Sequence, residues 1–135
     1  MIQSIDIRVR RAAALAVIAA GALLGAWRAP VHLQLVRSAP AANASVGIAP
    51  DSIRLWFSQA PELKLTSVKV TGPGAAVVAL APLAKCDSAL VVAAVKAKMP
   101  AGAYTVAWRT MSKDGHVVRG TFAFTVGRGA DRGAE

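Results

Sequence analysis

Cysteine, acidic residues and aromatic residues are all scarce in this sequence. The one cysteine is Cys86, so the chain cannot form an intramolecular disulfide. Its turn-like setting indicates a thiol without a role, with intermolecular pairing or a soft metal contact as the alternatives. Seven Asp and Glu face 16 Lys and Arg, and aromatics make up 5% of the chain. The basic residues are scattered and do not alternate with aromatics, which argues against a nucleic-acid partner.

Charge is absent from residues 12–27, which are almost entirely Ala, Leu, Val, Ile and Gly. The run is shorter than the ~20 residues of a membrane span and is typical of a signal-peptide core. Arg8, Arg10 and Arg11 precede it, and this positive flank should stay cytoplasmic. We therefore predict that residues 1–31 are a Sec-type export signal and that the mature chain is periplasmic. The alternative is a buried apolar helix of the folded domain.

The position of signal cleavage is less well defined than the signal. Ala29 suits the small-residue preference of signal peptidase, whereas Val31, directly before His32, is bulky. Cleavage after Ala29 and an uncleaved membrane anchor both stay open. Residues 32–135 carry 12 Lys and Arg against 6 Asp and Glu, a net charge of +6 (12 − 6). Such a charge favours solubility and non-specific attraction to anionic surfaces.

After position 31, short apolar stretches alternate with Pro, Gly, Asn and Asp. Alternation of apolar and polar residues predicts about seven strands. They cover residues 33–37, 52–58, 66–71, 75–80, 88–95, 103–110 and 117–126. Regular turn signals favour a single all-β domain over residues 32–127, an Ig-like Greek-key sandwich or barrel. Residues 128–135 should form a flexible polar tail. Arg109 and Arg119 are interpreted as solvated strand residues.

Only two histidines are present, His32 at the predicted mature start and His116 in a loop. Asp114 and His116 are two positions apart, so both side chains can reach one ion from an extended loop. Imidazole suits several transition metals, and a carboxylate adds an anionic ligand. A free amine on His32 would make three nitrogens and one oxygen, a set suited to Cu(II). Zinc would accept the same ligands, and most Asp-Gly-His triplets are plain turns.

Five motifs stand out across residues 32–127. They are HLQLVRSAPA at residues 32–41, IRLWFS at 53–58, PAGAYTVAWR at 100–109, SKDGH at 112–116 and GTFAFTV at 120–126. Together they resemble the CopC family of periplasmic copper-resistance proteins. The resemblance implies a Greek-key β-sandwich that binds copper in the periplasm. The family's Cu(II) ligands, an N-terminal His, an Asp and a loop His, carry over to His32, Asp114 and His116.

The chain departs from the family pattern in two respects. Some members bind Cu(I) through a Met-rich loop, whereas residues 32–135 contain only Met99 and Met111. We therefore expect no thioether Cu(I) site. Gln59 stands where the family often has Glu after Phe-Ser, so an auxiliary carboxylate is missing.

The resulting hypothesis is a monomeric, non-enzymatic Cu(II) carrier or buffer for copper resistance or homeostasis, with one Cu(II) per chain. An inner-membrane copper transporter is a candidate partner. Because histidine binds metal in its neutral form, affinity should fall below about pH 6.5. Two alternatives remain. A copper-dependent oxidative enzyme would need an open coordination position, which Asp114 is expected to fill. A structural Ig-like module would leave both histidines incidental.

Overall fold

The computed structural model describes residues 32–87 and 89–129, which fold into two β-sheets. The predicted export segment and residues 130–135 of the predicted tail lie outside these described residues. The strands are β1 (Leu35–Ala39), β2 (Ser45–Val46), β3 (Ser52–Phe57), β4 (Ser67–Thr71), β5 (Val77–Val78), β6 (Ala84–Asp87), β7 (Leu90–Ala94), β8 (Gly102–Met111) and β9 (Val117–Val126). Short 3₁₀ turns span Leu63–Leu65 and Pro73–Ala75.

The two sheets have four and five strands. The first has the order β1-β3-β7-β6, and the second has the order β2-β9-β8-β4-β5. All pairings are antiparallel except the short β2–β9 pair, which is parallel. Strand neighbours in each sheet are mostly not consecutive in sequence, so the chain crosses between the sheets. The prediction of an all-β sandwich is confirmed.

The core lies between the sheets and contains the residues that alternation predicts. Ile53, Leu55 and Phe57 on β3 are at most 4% exposed. Tyr104 and Val106 on β8 are equally buried, facing them from the other sheet. Because successive side chains of a strand point to opposite faces, one face of each strand lines this core and the other faces solvent.

The strand count is higher than predicted, because the described residues contain nine strands. The short strands β2 and β6 were missed. Residues 82–87 fall between the strands predicted at 75–80 and 88–95, yet Ala84–Asp87 pairs with β7 as an edge strand. The pairing has a register shift between Lys85 and Asp87. Cys86 therefore lies in a strand and not in a turn. In contrast, the strand predicted at residues 75–80 is reduced to Val77–Val78, because Gly74 and Ala75 adopt positive φ angles of 68° and 60°.

The β8–β9 hairpin is the longest paired element and carries the predicted loop ligands at its tip. Its ladder runs from Gly102 opposite Val126 to Met111 opposite Val117. Within the described residues, no helix is long and apolar enough to cross a membrane.

Candidate metal centre

The loop that joins β8 to β9 is closed by hydrogen bonds across its base. The backbone N–H of Ser112 donates to the His116 carbonyl oxygen at 3.0 Å, and that of Gly115 donates to the Ser112 carbonyl oxygen at 2.9 Å. Gly115 has a φ of 88°, in the left-handed region that glycine adopts without steric cost. This tight turn lets Asp114 and His116 project from the same short loop.

The Asp114 carboxylate is held by its neighbours in this loop. Its Oδ2 lies 2.8 Å from Nδ1 of His116, and its Oδ1 accepts hydrogen bonds from the Ser112 hydroxyl and from the His116 backbone N–H. The Ser112 hydroxyl, together with these contacts to His116, holds the pKa of the Asp114 carboxyl well below its usual range. Asp114 is therefore an anionic oxygen donor at neutral pH, although it is exposed to solvent.

Ser112 is a supporting residue that sequence reasoning missed. It is only 6% exposed, whereas Asp114 and His116 are both exposed. Its hydroxyl oxygen also lies 3.2 Å from the His116 carbonyl oxygen. The sequence feature that could have identified it is a serine two positions before an aspartate at the end of a strand. This arrangement is common in polar turns and so does not mark a metal site by itself.

A second polar contact supports the loop end of the hairpin. The hydroxyls of Thr66 and Thr110 lie 2.7 Å apart, and Thr110 is fully buried. The backbone N–H of Glu62 donates to the Met111 carbonyl oxygen at 3.1 Å. The segment before β4 is thus bonded to the end of β8, directly before the ligand loop.

His32 reaches the same place from the other end of the described chain. The next residue, Leu33, is 2% exposed and belongs to the core. Gln34 then pairs with Ser58, because its N–H donates to the Ser58 hydroxyl at 2.9 Å and its carbonyl oxygen accepts from the Ser58 N–H at 2.8 Å. These contacts extend the β1–β3 pairing and hold the backbone next to His32, whose own side chain is exposed.

The structure brings the three sequence-predicted site residues together. One candidate ligand atom from each of His32, Asp114 and His116 lies within 4.8 Å of the others. The two imidazole rings are edge to face, with centroids 5.6 Å apart and an interplanar angle of 77°. Two imidazole nitrogens and one carboxylate oxygen fit Cu(II), and Zn(II) would also accept this set.

The two methionines of the described chain have different positions. Met99 is 5% exposed and is part of the hydrophobic core. Met111 is half-buried at the end of β8. The thioether of Met99 is therefore closed off from solvent by the packing of the sandwich.

Comparisons with known proteins give consistent matches over most of the chain. The CopC domain family profile matches residues 35–127. Protein YobA from Escherichia coli K12 is 34% identical over 97 residues, which cover 70% of this chain and 78% of YobA. Copper resistance protein C from Escherichia coli is 32% identical over 122 residues, 82% of this chain and 94% of that protein. The crystal structure of PcoC, a methionine-rich copper resistance protein from Escherichia coli, superposes with a TM-score of 0.65 at 34% identity, covering 71% of this chain and 99% of PcoC.

Proposed function

Because the chain belongs to the CopC family, we propose that it is a periplasmic carrier or buffer that binds one Cu(II) ion per chain. Relatives named copper resistance proteins support a role connected with copper. The proposal that the chain binds one Cu(II) ion depends on one observation, the convergence of His32, Asp114 and His116 within 4.8 Å. The three potential ligands come from two segments that are distant in the sequence, and all three are exposed.

Several features support Cu(II) as the ion. Nitrogen ligands favour Cu(II) over Zn(II) in the Irving–Williams order. Cu(I) prefers thioether and thiolate ligands. The thioether of Met99 is buried in the core, which leaves only half-buried Met111 among the methionines of the described residues. The imidazoles and the ionised Asp114 carboxylate thus favour the harder, oxidised ion.

Export would complete the site. If the signal is removed directly before His32, its free amine can close a chelate ring with the imidazole of the same residue. If the segment is retained as an anchor, two imidazoles and one carboxylate remain, and binding is weaker. The protein would act as a monomer and exchange its copper with an inner-membrane transporter.

We expect the bound copper ion to have no catalytic role. Oxidative chemistry at a copper ion needs an open coordination position, and in this arrangement the Asp114 carboxylate would occupy one. Rapid oxygen consumption by the copper-loaded protein in the presence of ascorbate would instead favour an enzyme.

Calorimetric titration of the exported protein with Cu(II) tests the proposal. We expect saturation at about one ion per chain, because the site offers one set of ligands. His116→Ala and Asp114→Ala should each weaken binding by more than about tenfold, the loss found even for residues that only support a metal ligand. N-terminal sequencing of the same sample reports whether His32 carries the free amine.

Asp51→Ala is the matched control for Asp114→Ala, because Asp51 is also an exposed aspartate that accepts a hydrogen bond from a nearby serine. It should leave copper affinity unchanged. Absence of saturable uptake, or equal losses in the two aspartate variants, would rule out the proposed site.

A further inference from the structure

The outer face of the five-stranded sheet carries a cluster of cations, Lys69, Arg109 and Arg119. Arg109 on β8 lies directly opposite Arg119 on β9, and Ser67 on β4 is the other neighbour of Arg109. Two register positions further from the hairpin tip, Lys69 is opposite Ala107. All three cationic residues are exposed, and the residues that flank Arg109 in β8 are buried. The three cations therefore share the solvent face of three adjacent strands.

These cations have no counterion in the part of the chain that the structure describes. Among residues 32–87 and 89–129, no side-chain ion pair or side-chain hydrogen bond involves Lys69, Arg109 or Arg119. Like charges that lie directly opposite on neighbouring strands destabilise a sheet. The Arg109–Arg119 pair is thus an unfavourable feature of the isolated domain that an anionic partner would relieve.

The cations surround a shallow depression of about 340 Å³. Ser67 and Thr121 also line it and add hydroxyl groups, while Ala107 contributes only a methyl group. Neighbouring strands lie about 4.8 Å apart, so carboxylates on adjacent turns of a helix or alternate residues of a strand could reach the two arginines together. An arginine guanidinium can bind a carboxylate through two parallel hydrogen bonds.

The cluster is close to the candidate metal centre. The Arg109–Arg119 pair is two register positions from Met111–Val117, where the ligand loop begins. At a rise of about 3.4 Å per residue, this separation is about 7 Å along the hairpin. Val117, which shares the outward side of β9 with Arg119, is 42% exposed. A molecule seated on this face would therefore lie next to the ligand loop.

We propose that this outer face, centred on Lys69, Arg109 and Arg119, is the docking surface for an acidic protein that exchanges copper with the metal centre. That the exchanged ion is copper rests on the proposed function, whereas the docking surface itself does not. A protein is favoured over a lipid surface because copper exchange needs a recipient with nitrogen or sulfur ligands, whereas lipid phosphates present only hard oxygen ligands. Docking through exposed charges would raise the association rate and make it sensitive to salt.

The test uses the exported, copper-free protein, so it is independent of metal binding. Backbone amide resonances are followed by NMR during titration with hexaglutamate, and with hexaglutamine as the uncharged peptide. Hexaglutamate should shift the resonances of Ser67, Lys69, Arg109 and Arg119 in a saturable manner that high salt abolishes. Hexaglutamine should leave them in place.

Two double variants with equal changes in net charge separate a local surface from a general charge effect. Arg109→Gln with Arg119→Gln should weaken hexaglutamate binding about fivefold, as expected for the loss of two exposed ion pairs. Lys96→Gln with Lys98→Gln alters exposed residues before β8, at the opposite end of that strand from the ligand loop, and should change binding less than about twofold. The arginine variant should stay folded, because it removes a like-charge pair.

Several results would overturn the docking proposal. One is an equal loss of peptide binding in both double variants, and another is a shift pattern centred on Lys96 and Lys98. A third is perturbation of the arginine face by vesicles of phosphatidylcholine and phosphatidylglycerol but not by hexaglutamate, which would assign the face to a membrane.

Copper titration of the arginine variant distinguishes the docking proposal from the proposed copper function. If the arginine variant loses peptide binding but still binds copper, the docking face is distinct from the metal centre. If the unmodified protein binds no copper, only the proposed copper function is contradicted.

Discussion

Ser112 connects the hydrophobic interior to the polar tip of the β8–β9 hairpin. Its hydroxyl is buried beneath the loop and donates to the Asp114 carboxylate, whose other oxygen contacts His116. A carboxylate on an exposed loop would otherwise sample several rotamers. Fixing it in advance lowers the entropy lost when a metal binds, which is how residues behind the ligands contribute to affinity.

Replacing this serine should therefore weaken copper binding without unfolding the protein. We expect Ser112→Ala to lower Cu(II) affinity by about tenfold, since loss of a residue that orients a ligand typically costs 10–100-fold. Competition of the variant with a chelator of known affinity measures the change. Ser52→Ala is the control, because the Ser52 hydroxyl also donates to an aspartate, Asp51, but at the start of β3. It should leave Cu(II) affinity unchanged. Equal affinities for the two variants would contradict the positioning role.

The three site residues differ in how far sequence could place them. Asp114 and His116 are two positions apart, so a short loop was enough to predict that they meet. His32 was considered because of its place at the predicted mature start, and only the family resemblance joined it to the loop residues, because no local pattern tells where the first strand of a sandwich will lie. Ser112 was missed because its role depends on burial at the end of a strand, which one residue and its neighbours do not reveal.

Among the elements, the β8–β9 hairpin depends on one close contact between its strands. Gly120 lies opposite Trp108, and a Cβ atom at Gly120 would come within 2.7 Å of the Trp108 Cζ2 atom. Trp108 also packs edge to face against Phe57 of the other sheet, with ring centroids 5.4 Å apart. The indole therefore has little freedom to move away from an added methyl group.

Gly120→Ala should consequently destabilise the fold. We expect the free energy of unfolding to fall by about 1–3 kcal/mol, the usual cost of overpacking a well-packed interior. Urea denaturation followed by tryptophan fluorescence measures it. A Cβ at Gly47 would meet no atom within 4 Å, so Gly47→Ala should change stability by less than about 0.5 kcal/mol. A stability of Gly120→Ala equal to that of the control would show that the indole can rearrange freely.

Alternation predicted the long strands but not their partners. The buried faces of β3 and β8 were identified because one side of each strand lines the core. The strand β6 was missed because it is a short edge element. The pairing of Arg109 with Arg119 could not be predicted from the sequence, because the register depends on the whole hairpin. Those arginines were interpreted as solvated residues, whereas their direct opposition and the exposed Lys69 beside them motivate the docking proposal.

At the scale of the molecule, the candidate metal centre depends on the complete sandwich. His32 precedes β1 of the four-stranded sheet, whereas Asp114 and His116 join two strands of the five-stranded sheet. The buried side chain of Leu33 and the ladder of the β8–β9 hairpin bring these segments to one edge. An unfolded chain offers no such preformed site, so the free energy of metal binding should add to the stability of the folded state.

Pulsed electron paramagnetic resonance of the Cu(II)-loaded protein can determine whether one ion is shared between these two segments. The modulation from remote imidazole nitrogens reports how many histidines bind the copper equatorially. We expect two imidazoles in the unmodified protein and one in each of His32→Ala and His116→Ala. A single imidazole in the unmodified protein, or an unchanged spectrum in His32→Ala, would contradict the shared site.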